Sequence, residues 1–590
     1  MGAEARHKVG LLDIAATLPR MTTALPSVLR GLPGFLRKPD DKESIGHIFQ
    51  RVATKTPDHP FVRFEGNTLT YGQANDLVNR YASVLTDRGV QRGDVVGVLA
   101  KSSMRTLLVT LATVKLGATA GMLNFNQRGE VLEHSLGILD ARVLVVDEDC
   151  VEALESLDEA LPEKVVLHAD ELDRLAESAS AENPVATTEI RAKEKAFYIF
   201  TSGTTGMPKA SLMSHFRWMK SMSGLGSMGV RLDKNDVLYC CLPLYHNNAL
   251  TVSLSSVLAS GATLAIGKQF SVSNFWKDVR ENEATAFTYI GELCRYLLTQ
   301  DETPQDSDNT IRLIVGNGLR PEIWEEFTTR FGISRVAEFY GASECNIAFI
   351  NAFNIDRTAG FCPLPYAVVE YDDETGKAKR DDSGRLSKVG AGGVGLLLSK
   401  ITDRAPFDGY SDEEATNKKL LKDGFKDGDC WFDTGDLVRQ QGFRHVAFVD
   451  RLGDTFRWKG ENVATTQVEG ALNSHPDVDQ AVVFGVDIDK TDGKAGMAAV
   501  TLRGGKSFDG NSFAQHAYKN LPGYAVPLFI RVVESLEATS TFKSKKVELR
   551  KIGYGDGDGD LYVLKGKSGG YVESYDGYVD EVGAGKLPKG

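Results

Sequence analysis

The sequence has few cysteines, and their placement argues against two kinds of structure. Seven cysteines are scattered along 590 residues, and no two of them stand at the Cys-x-x-Cys spacing. An odd number without paired spacing argues against a disulfide framework and against a zinc site built from cysteine pairs. Scattered thiols fit a reducing compartment, so the sequence predicts a cytoplasmic protein.

An excess of positive charge is also missing. The chain carries 68 lysines and arginines against 80 aspartates and glutamates, which gives a formal charge of −12. Proteins that bind nucleic acid usually present a broad basic surface, so we expect no nucleic-acid partner. An anionic small molecule remains compatible with this charge, because the field in a cleft depends on the groups around it.

Long uninterrupted apolar runs are absent near the N-terminus. Residues 11–36 are moderately apolar but are broken by Pro19, Arg20, Pro26 and further polar or proline positions. This segment is too interrupted for a transmembrane helix, and no signal-peptide pattern precedes it. We expect it either to make peripheral contact with the inner face of the cell membrane as a basic amphipathic helix or to pack on the body of the protein.

Strand-like and helix-like segments alternate along the first part of the chain. Residues 94–100 and 141–147 are apolar, β-branched runs, and helical patterns follow them at 104–116 and 151–160. Alternation of this kind predicts a parallel sheet with helices on its faces.

Two changes in pattern divide the rest of the chain. The first is a polar, turn-rich stretch, and the segments after it have the pattern of antiparallel strands. The second comes after Asp450, where another mixture of helices and strands begins. We therefore predict an α/β fold with a large N-terminal domain, 1–450, which includes a β-rich subdomain at about 360–450. A small, mobile α+β domain is expected at 451–590.

A loop dense in glycine and hydroxyl groups follows one of the predicted strands. Residues 195–209 read Lys-Ala-Phe-Tyr-Ile-Phe-Thr-Ser-Gly-Thr-Thr-Gly-Met-Pro-Lys. Backbone amides in such a loop can form a nest for phosphate oxygens, although the spacing is not that of a P-loop. The predicted phosphate-binding residues are Thr201, Ser202, Gly203, Thr204, Thr205, Gly206 and Lys209.

Four further motifs follow the glycine-rich loop along the chain. They are Tyr340-Gly-Ala-Ser-Glu344, residues 431–437, residues 450–454 with 459–463, and residues 539–543. Together, in this order, the five motifs resemble those of the adenylate-forming superfamily, which includes acyl-CoA synthetases, luciferases and nonribosomal adenylation domains. The local sequences at 315–324, 456–463 and 546–551 resemble those of the very-long-chain acyl-CoA synthetase and fatty acid transport protein branch. The resemblance runs from about residue 45 to the end.

The resemblance implies a reaction in two steps. A long-chain or very-long-chain fatty acid is activated by Mg²⁺ and ATP to an acyl-adenylate with release of pyrophosphate. Coenzyme A then displaces AMP. Positioning and charge neutralisation dominate such chemistry. Oligomeric state is left open, with a homodimer as one expectation.

The resemblance also assigns roles to individual residues. Glu344 and Thr204 are expected to bind Mg²⁺, for which hard oxygen ligands are suited. The nucleotide is expected to contact Gly316, Asn317, Gly318, Tyr340, Gly341, Ser343, Asp436 and Arg451, with the carboxylate of Asp436 accepting the ribose hydroxyls. His246 is expected beside the acyl group.

The C-terminal domain is expected to contribute a lysine and a hinge. Lys543 aligns with the late catalytic lysine of the superfamily, with Lys545 and Lys546 as alternatives in register. Gly453 stands at the hinge position, where glycine can absorb a large backbone change, and Gly460 is expected on the coenzyme A side.

Two alternatives remain beside a fatty acid–CoA ligase. One is a fatty acyl-AMP ligase that passes its product to a carrier protein. The other is a membrane-associated protein for fatty acid uptake or binding.

Overall fold

The computed structural model describes residues 8–158, 161, 165–201, 207–341, 345–372, 375–409, 413–452, 454–458, 461–488, 491, 493–536 and 546–583. The α-helices in these ranges are α1 (Leu11–Leu36), α2 (Ile45–Lys55), α3 (Tyr71–Asp87), α4 (Met104–Lys115), α5 (Gly129–Leu139), α6 (Val151–Glu155), α7 (Ala169–Ala176), α8 (His215–Ser221), α9 (Leu254–Ser260), α10 (Phe275–Glu281), α11 (Gly291–Leu298), α12 (Pro321–Arg330), α13 (Glu413–Lys418), α14 (Thr465–Asn473), α15 (Gly510–Asn520), α16 (Lys546–Ile552) and α17 (Tyr578–Gly583). Two π-helices, π1 (Met222–Val230) and π2 (Asn248–Ser253), and short 3₁₀ turns at Glu148–Cys150 and Val185–Thr188 complete the helical part.

The strands are β1 (Pro60–Phe64), β2 (Asn67–Thr70), β3 (Val95–Leu99), β4 (Thr119–Met122), β5 (Val143–Val146), β6 (Val166–His168), β7 (Lys195–Thr201), β8 (Lys209–Ser214), β9 (Val237–Cys240), β10 (Thr263–Ile266), β11 (Ala286–Ile290), β12 (Leu313–Asn317), β13 (Arg335–Tyr340), β14 (Phe349–Ile350), β15 (Gly360–Phe361), β16 (Tyr366–Val369), β17 (Val394–Lys400), β18 (Leu420–Lys422), β19 (Cys430–Gly442), β20 (His445–Arg451), β21 (Phe456–Trp458), β22 (Glu461–Val463), β23 (Val478–Asp487), β24 (Lys494–Leu502), β25 (Phe529–Val532), β26 (Asp560–Gly566) and β27 (Gly570–Glu573).

Two large sheets form the N-terminal part. One has the order β6-β5-β3-β4-β7-β8, and all its neighbours are parallel except the β7–β8 pair. The other runs β16-β17-β19-β20-β15-β14-β13-β12-β11-β9-β10-β1-β2, with β18 added beside β19. Its strands from β1 to β13 are parallel except the β1–β2 hairpin, and its strands beyond β13 are antiparallel. The predicted alternation of strand and helix is therefore confirmed, and so is the α/β class.

Several of the parallel strands are buried along their whole length. Strands β4, β5, β9, β10 and β11 are fully buried, as expected for parallel sheets in α/β proteins. A separate cluster of buried side chains starts at Phe456 and includes β23, β24 and β25. The C-terminal part thus has its own core, and the predicted boundary near residue 450 stays a prediction.

Helix α1 crosses the outside of the N-terminal part. Its start is tied to the hairpin between β19 and β20, because the amide of Val9 donates to the carbonyl of Gln441 at 2.8 Å. Further along, α1 packs on π1 and α8. No helix within the described ranges is long and apolar enough to cross a bilayer.

Candidate nucleotide and acyl site

The carboxyl ends of parallel strands β11 and β12 meet where the sequence predicts the adenine-binding residues. Ile290 and Asn317 are paired in register at these ends. Gly318 follows with φ of +84°, and a Cβ atom added to Gly291 would lie 1.7 Å from the carbonyl oxygen of Gly318. Position 318 favours glycine because of this positive φ, and position 291 requires glycine because a Cβ atom there would clash with the carbonyl oxygen of Gly318. The two strand ends therefore form a tight pair of turns at the edge of the sheet where α/β proteins bind ligands.

The buried carboxyl group of Glu338 is hydrogen-bonded to these turns. Glu338 Oε1 accepts a hydrogen bond from the Gly318 amide at 2.6 Å, and Oε2 accepts one from the hydroxyl of Tyr289. Burial raises the pKa of Glu338 to about 8, against the opposing effect of these hydrogen bonds. Glu338 thus links β11, β12 and β13 directly beneath Gly318.

Sequence reasoning missed this residue. Its signal is a charged side chain inside the otherwise apolar run Arg335-Val-Ala-Glu-Phe-Tyr340. Glutamate is rarely buried without a specific partner, so its place in a strand two residues before Tyr340 could have marked it.

Tyr340, Asp436 and Arg451 come together although they are distant in sequence. The Tyr340 hydroxyl donates to Asp436 Oδ2 at 2.5 Å, and Arg451 Nε lies 3.7 Å from Asp436 Oδ1. Asp436 and Arg451 are also cross-strand partners between β19 and β20. Burial and the nearby Asp436 raise the pKa of Tyr340 well above its usual value, so the phenol stays neutral.

The exposure of this group differs from residue to residue. Tyr340 is buried, and its ring faces Phe448 with a centroid distance of 6.3 Å. The side chain of Asp436 is 11% exposed, whereas that of Arg451 is 62% exposed. The carboxylate is thus fixed in position, and the guanidinium extends from it into solvent. Gly341, which follows Tyr340, is exposed at the end of β13.

The segment that carries His246 is joined to the turn that carries Asn317. The neighbouring Asn248 donates from Nδ2 to Asn317 Oδ1 at 3.0 Å, which joins the two loops. The half-buried His246 ring lies 4.3 Å from the ring of Tyr245, centroid to centroid. π2 begins at Asn248, and π-helices occur frequently at functional sites.

The predicted phosphate loop connects two antiparallel strands. Thr201 ends β7 and Lys209 begins β8, and these two residues are paired in register. Lys209 is thereby held opposite the start of the loop. Ser202, Gly203, Thr204, Thr205 and Gly206 lie outside the described residues.

Several other predicted residues also lie outside the described ranges. They are Ser343, Glu344, Gly453, Gly460, Lys543 and the alternative Lys545, so the predicted magnesium ligands and the catalytic lysine stay predictions. The described residues contain no cluster of three histidine, cysteine or acidic side chains that could hold a metal ion.

Of the three candidates for the late lysine, Lys546 lies within the described residues. Lys546 Nζ lies 2.8 Å from Glu469 Oε1 and donates to Thr465 Oγ1 at 2.8 Å. Glu469 is 8% exposed, so this ion pair is part of the C-terminal core. Lys546 is thus held by the C-terminal core, and the register of the late lysine stays a prediction.

Comparison with known proteins agrees with the motifs. Residues 49–390 match the AMP-binding enzyme family, and residues 467–543 match the AMP-binding enzyme C-terminal domain. The medium/long-chain-fatty-acid–CoA ligase FadD6 of Mycobacterium tuberculosis (strain ATCC 25618 / H37Rv) is 55% identical over 99% of both chains. Long-chain fatty acid transport protein 1 of Homo sapiens is 35% identical over 90% of this chain and 86% of its own.

Solved structures share the fold at lower identity. ATP-bound MatB from Rhodopseudomonas palustris superposes with a TM-score of 0.72 at 22% identity, covering 86% of this chain and 98% of that one. A fatty acyl CoA synthetase of Mycobacterium tuberculosis gives 0.61 at 22% identity, covering 87% and 98%. Both likenesses support the architecture of a large sheet-containing domain followed by a small one.

Proposed function

The chain belongs to the AMP-binding enzyme family, and on that premise we propose that it ligates a long-chain or very-long-chain fatty acid to coenzyme A. The observation that carries the proposal is the similarity over 99% of the chain to a fatty acid–CoA ligase. The fatty acid carboxylate attacks the α-phosphorus of ATP and expels pyrophosphate. The coenzyme A thiolate then attacks the acyl carbonyl and expels AMP.

The described residues support distinct roles for individual side chains in the adenylation step. The turns at Gly316–Gly318 line the adenine, and Asp436 accepts hydrogen bonds from the ribose. The exposed Arg451 reaches the same ribose from the other side of the carboxylate. Lys209, held opposite Thr201, is placed to neutralise pyrophosphate oxygens. His246, joined to the adenine turns through Asn248 and Asn317, lies beside the acyl carboxylate.

The proposed reaction also uses Mg²⁺, for which the sequence predicts two ligands. Glu344 and Thr204 supply hard oxygen donors, which Mg²⁺ takes in combination with phosphate oxygens. When bound, the ion would neutralise charge between the phosphates.

A panel of medium-, long- and very-long-chain fatty acids tests the function directly. Purified protein with Mg²⁺, ATP and coenzyme A is expected to release pyrophosphate and to form acyl-CoA, detected by mass spectrometry. Pyrophosphate release without acyl-CoA would instead indicate a fatty acyl-AMP ligase that serves a carrier protein. Absence of both products with every acid would contradict the proposal.

A second candidate function is fatty acid uptake, which the similarity to a protein named as a long-chain fatty acid transport protein favours. If uptake depends on ligation, Glu344→Ala should abolish both together in cells. Uptake that survives loss of ligation would favour a transport or binding role.

Glu338 gives a prediction for the adenine turns. We expect Glu338→Ala to raise the KM for ATP about tenfold or more, because it leaves the Gly318 amide and the Tyr289 hydroxyl without an acceptor. Glu338→Gln keeps the shape and one oxygen acceptor, so its KM should stay close to that of the parent protein. Steady-state kinetics at saturating fatty acid and coenzyme A provide the measurement.

The same residue predicts a pH dependence of stability. The folded-state pKa is raised from 4.5 to about 8, so the protonated carboxyl stabilises the fold below pH 4.5, and this contribution is lost as pH rises to about 8. The parent protein should therefore lose stability relative to Glu338→Gln between pH 5 and pH 8. Thermal unfolding of both proteins across this range measures the difference; parallel curves would contradict the assignment.

Gly453 gives a prediction for the hinge. Gly453→Pro should lower thioester formation at least about tenfold more than adenylation, because proline fixes φ where the C-terminal domain is proposed to rotate. Separate assays of pyrophosphate release and of acyl-CoA formation from supplied acyl-adenylate measure the two steps. Gly453→Ala is the matched control, and an equal loss in both steps would count against a hinge.

A further inference from the structure

The C-terminal half of helix α1 has its small residues inside and its leucines outside. Gly31 and Gly34 are buried against π1, where a Cβ atom added to Gly34 would lie 1.7 Å from Ser223 Oγ. Ala24 is buried on the same face. A surface helix normally turns its large apolar side chains toward the core, so this half of α1 reverses the usual arrangement.

The outward leucines form a continuous stripe. Leu25, Leu29, Leu32 and Leu36 are 54, 54, 46 and 80% exposed, and their spacing of four, three and four residues places them on one face of the helix. Leu11 and Leu12 add 73 and 86% exposed side chains at its start. Single exposed apolar residues are ordinary, but a contiguous patch marks an interaction surface. We call this patch the leucine stripe.

The net charge of the residues around the leucine stripe indicates the kind of surface that the stripe binds. Residues 8–38 contain five basic residues and one acidic residue, a net charge of 5 − 1 = +4 in a chain of −12. Arg30 and Lys38 are exposed near the most apolar end of the helix. Apolar side chains flanked by cations match a bilayer that carries anionic lipid headgroups. A second copy would bring two cationic surfaces together.

We propose that α1 docks on an anionic bilayer through the leucine stripe while its glycine face holds the enzyme body. Pro19, Pro26 and Pro33 are exposed and stand seven residues apart, about two helical turns, so they lie on one side of α1. Because the opposite face of α1 packs on π1, the docked helix lies along the membrane surface and does not enter the bilayer core.

Docking through α1 would bring the acyl site close to the bilayer, an inference that rests on the proposed function. π1 contacts α1 on one side and α9 and π2 on the other, and π2 begins two residues after His246. The lipid-facing helix is thus separated from the proposed acyl site by a single layer of helices. We infer that fatty acid is taken from the bilayer on this side of the molecule.

Sedimentation with vesicles tests the docking on the full-length protein. Vesicles of phosphatidylcholine with phosphatidylglycerol should bind the parent protein, and vesicles of phosphatidylcholine alone should bind it more weakly. Replacing Leu25, Leu29, Leu32 and Leu36 together with glutamine should reduce binding at least about tenfold, since each leucine buries apolar surface in the interface. Arg30→Gln with Lys38→Gln should reduce the preference for phosphatidylglycerol, and added salt should do the same.

Controls separate docking from folding and from catalysis. Val131→Gln with Val185→Gln removes exposed apolar side chains elsewhere and should leave binding unchanged. The leucine variant should unfold at the parental temperature and keep its rate on a water-soluble medium-chain acid, yet lose rate on a long-chain acid supplied in vesicles. Vesicle binding without any ligation would disprove the proposed function and leave the docking intact.

Two results would overturn the docking proposal. One is equal vesicle binding by the parent and the leucine variant. The other is a parent protein that forms dimers in analytical ultracentrifugation while the leucine variant is monomeric, since a second copy would then cover the stripe.

Discussion

Lys543→Ala should lower the rate of adenylation by about a hundredfold to a thousandfold, which is the usual cost of removing a group that stabilises developing charge. The ammonium is proposed to bridge the carboxylate and α-phosphate oxygens as the new bond forms. Thioester formation from supplied acyl-adenylate should largely survive, because that charge is no longer developing. Pyrophosphate release and acyl-CoA formation, assayed separately, measure the two effects.

The neighbouring lysines are the matched controls for this experiment. Lys546→Ala should reduce stability more than chemistry, because it leaves Glu469 in the C-terminal core without its cation. Lys545→Ala should leave both steps close to normal. Unchanged adenylation in Lys543→Ala with a collapse in Lys545→Ala would move the assignment by two residues.

Asp436→Ala should raise the KM for ATP about a hundredfold. The substitution removes the proposed ribose acceptor, leaves the buried Tyr340 hydroxyl without this acceptor, and removes the carboxylate beside Arg451. Loss of a charged hydrogen-bond acceptor in such a site typically costs more than loss of a neutral donor. Initial rates of pyrophosphate release at varied ATP give the KM.

Tyr340→Phe is the informative control, because it removes the hydroxyl and keeps the carboxylate. We expect a KM increase of about tenfold, since Asp436 would then lack its phenolic donor but could still bind ribose. Equal KM values in Asp436→Ala and the parent protein would show that the ribose is held elsewhere. Circular dichroism of both variants checks that the sheet is intact.

Local patterns predicted the parallel part of the fold well. The strand at residues 94–100 and the helix at 104–116 correspond to β3 and α4, because a buried parallel strand is a short apolar run and α4 is a longer, almost wholly buried segment. The two glycines around Asn317 were also visible as a motif. Their geometric causes, the approach of Gly316 to the Tyr289 carbonyl and the positive φ of Gly318, need the register between β11 and β12 and the turn that follows β12.

Long-range pairing was beyond such patterns. Nothing local in the sequence indicates that β13 connects through β14, β15 and β20 to β19, so that the sheet carrying Gly318 also carries Asp436. Glu338 appeared as one more charged residue until its partners were known. The faces of α1 were likewise hidden, because leucine and glycine alternate along it and the sequence does not say which face meets the body.

The route from β13 to β19 through the sheet also governs when the site can exist. Tyr340 and Asp436 are 96 residues apart, and β20 must be complete before β15 can join β13 to β19. At ribosomal rates of about 5–20 residues per second, roughly 5–20 seconds separate the synthesis of Tyr340 from that of Arg451. During this interval β15, which pairs with β20 in the finished sheet, is an unprotected edge strand, so a nascent chain halted between these residues should depend on chaperones to remain unaggregated.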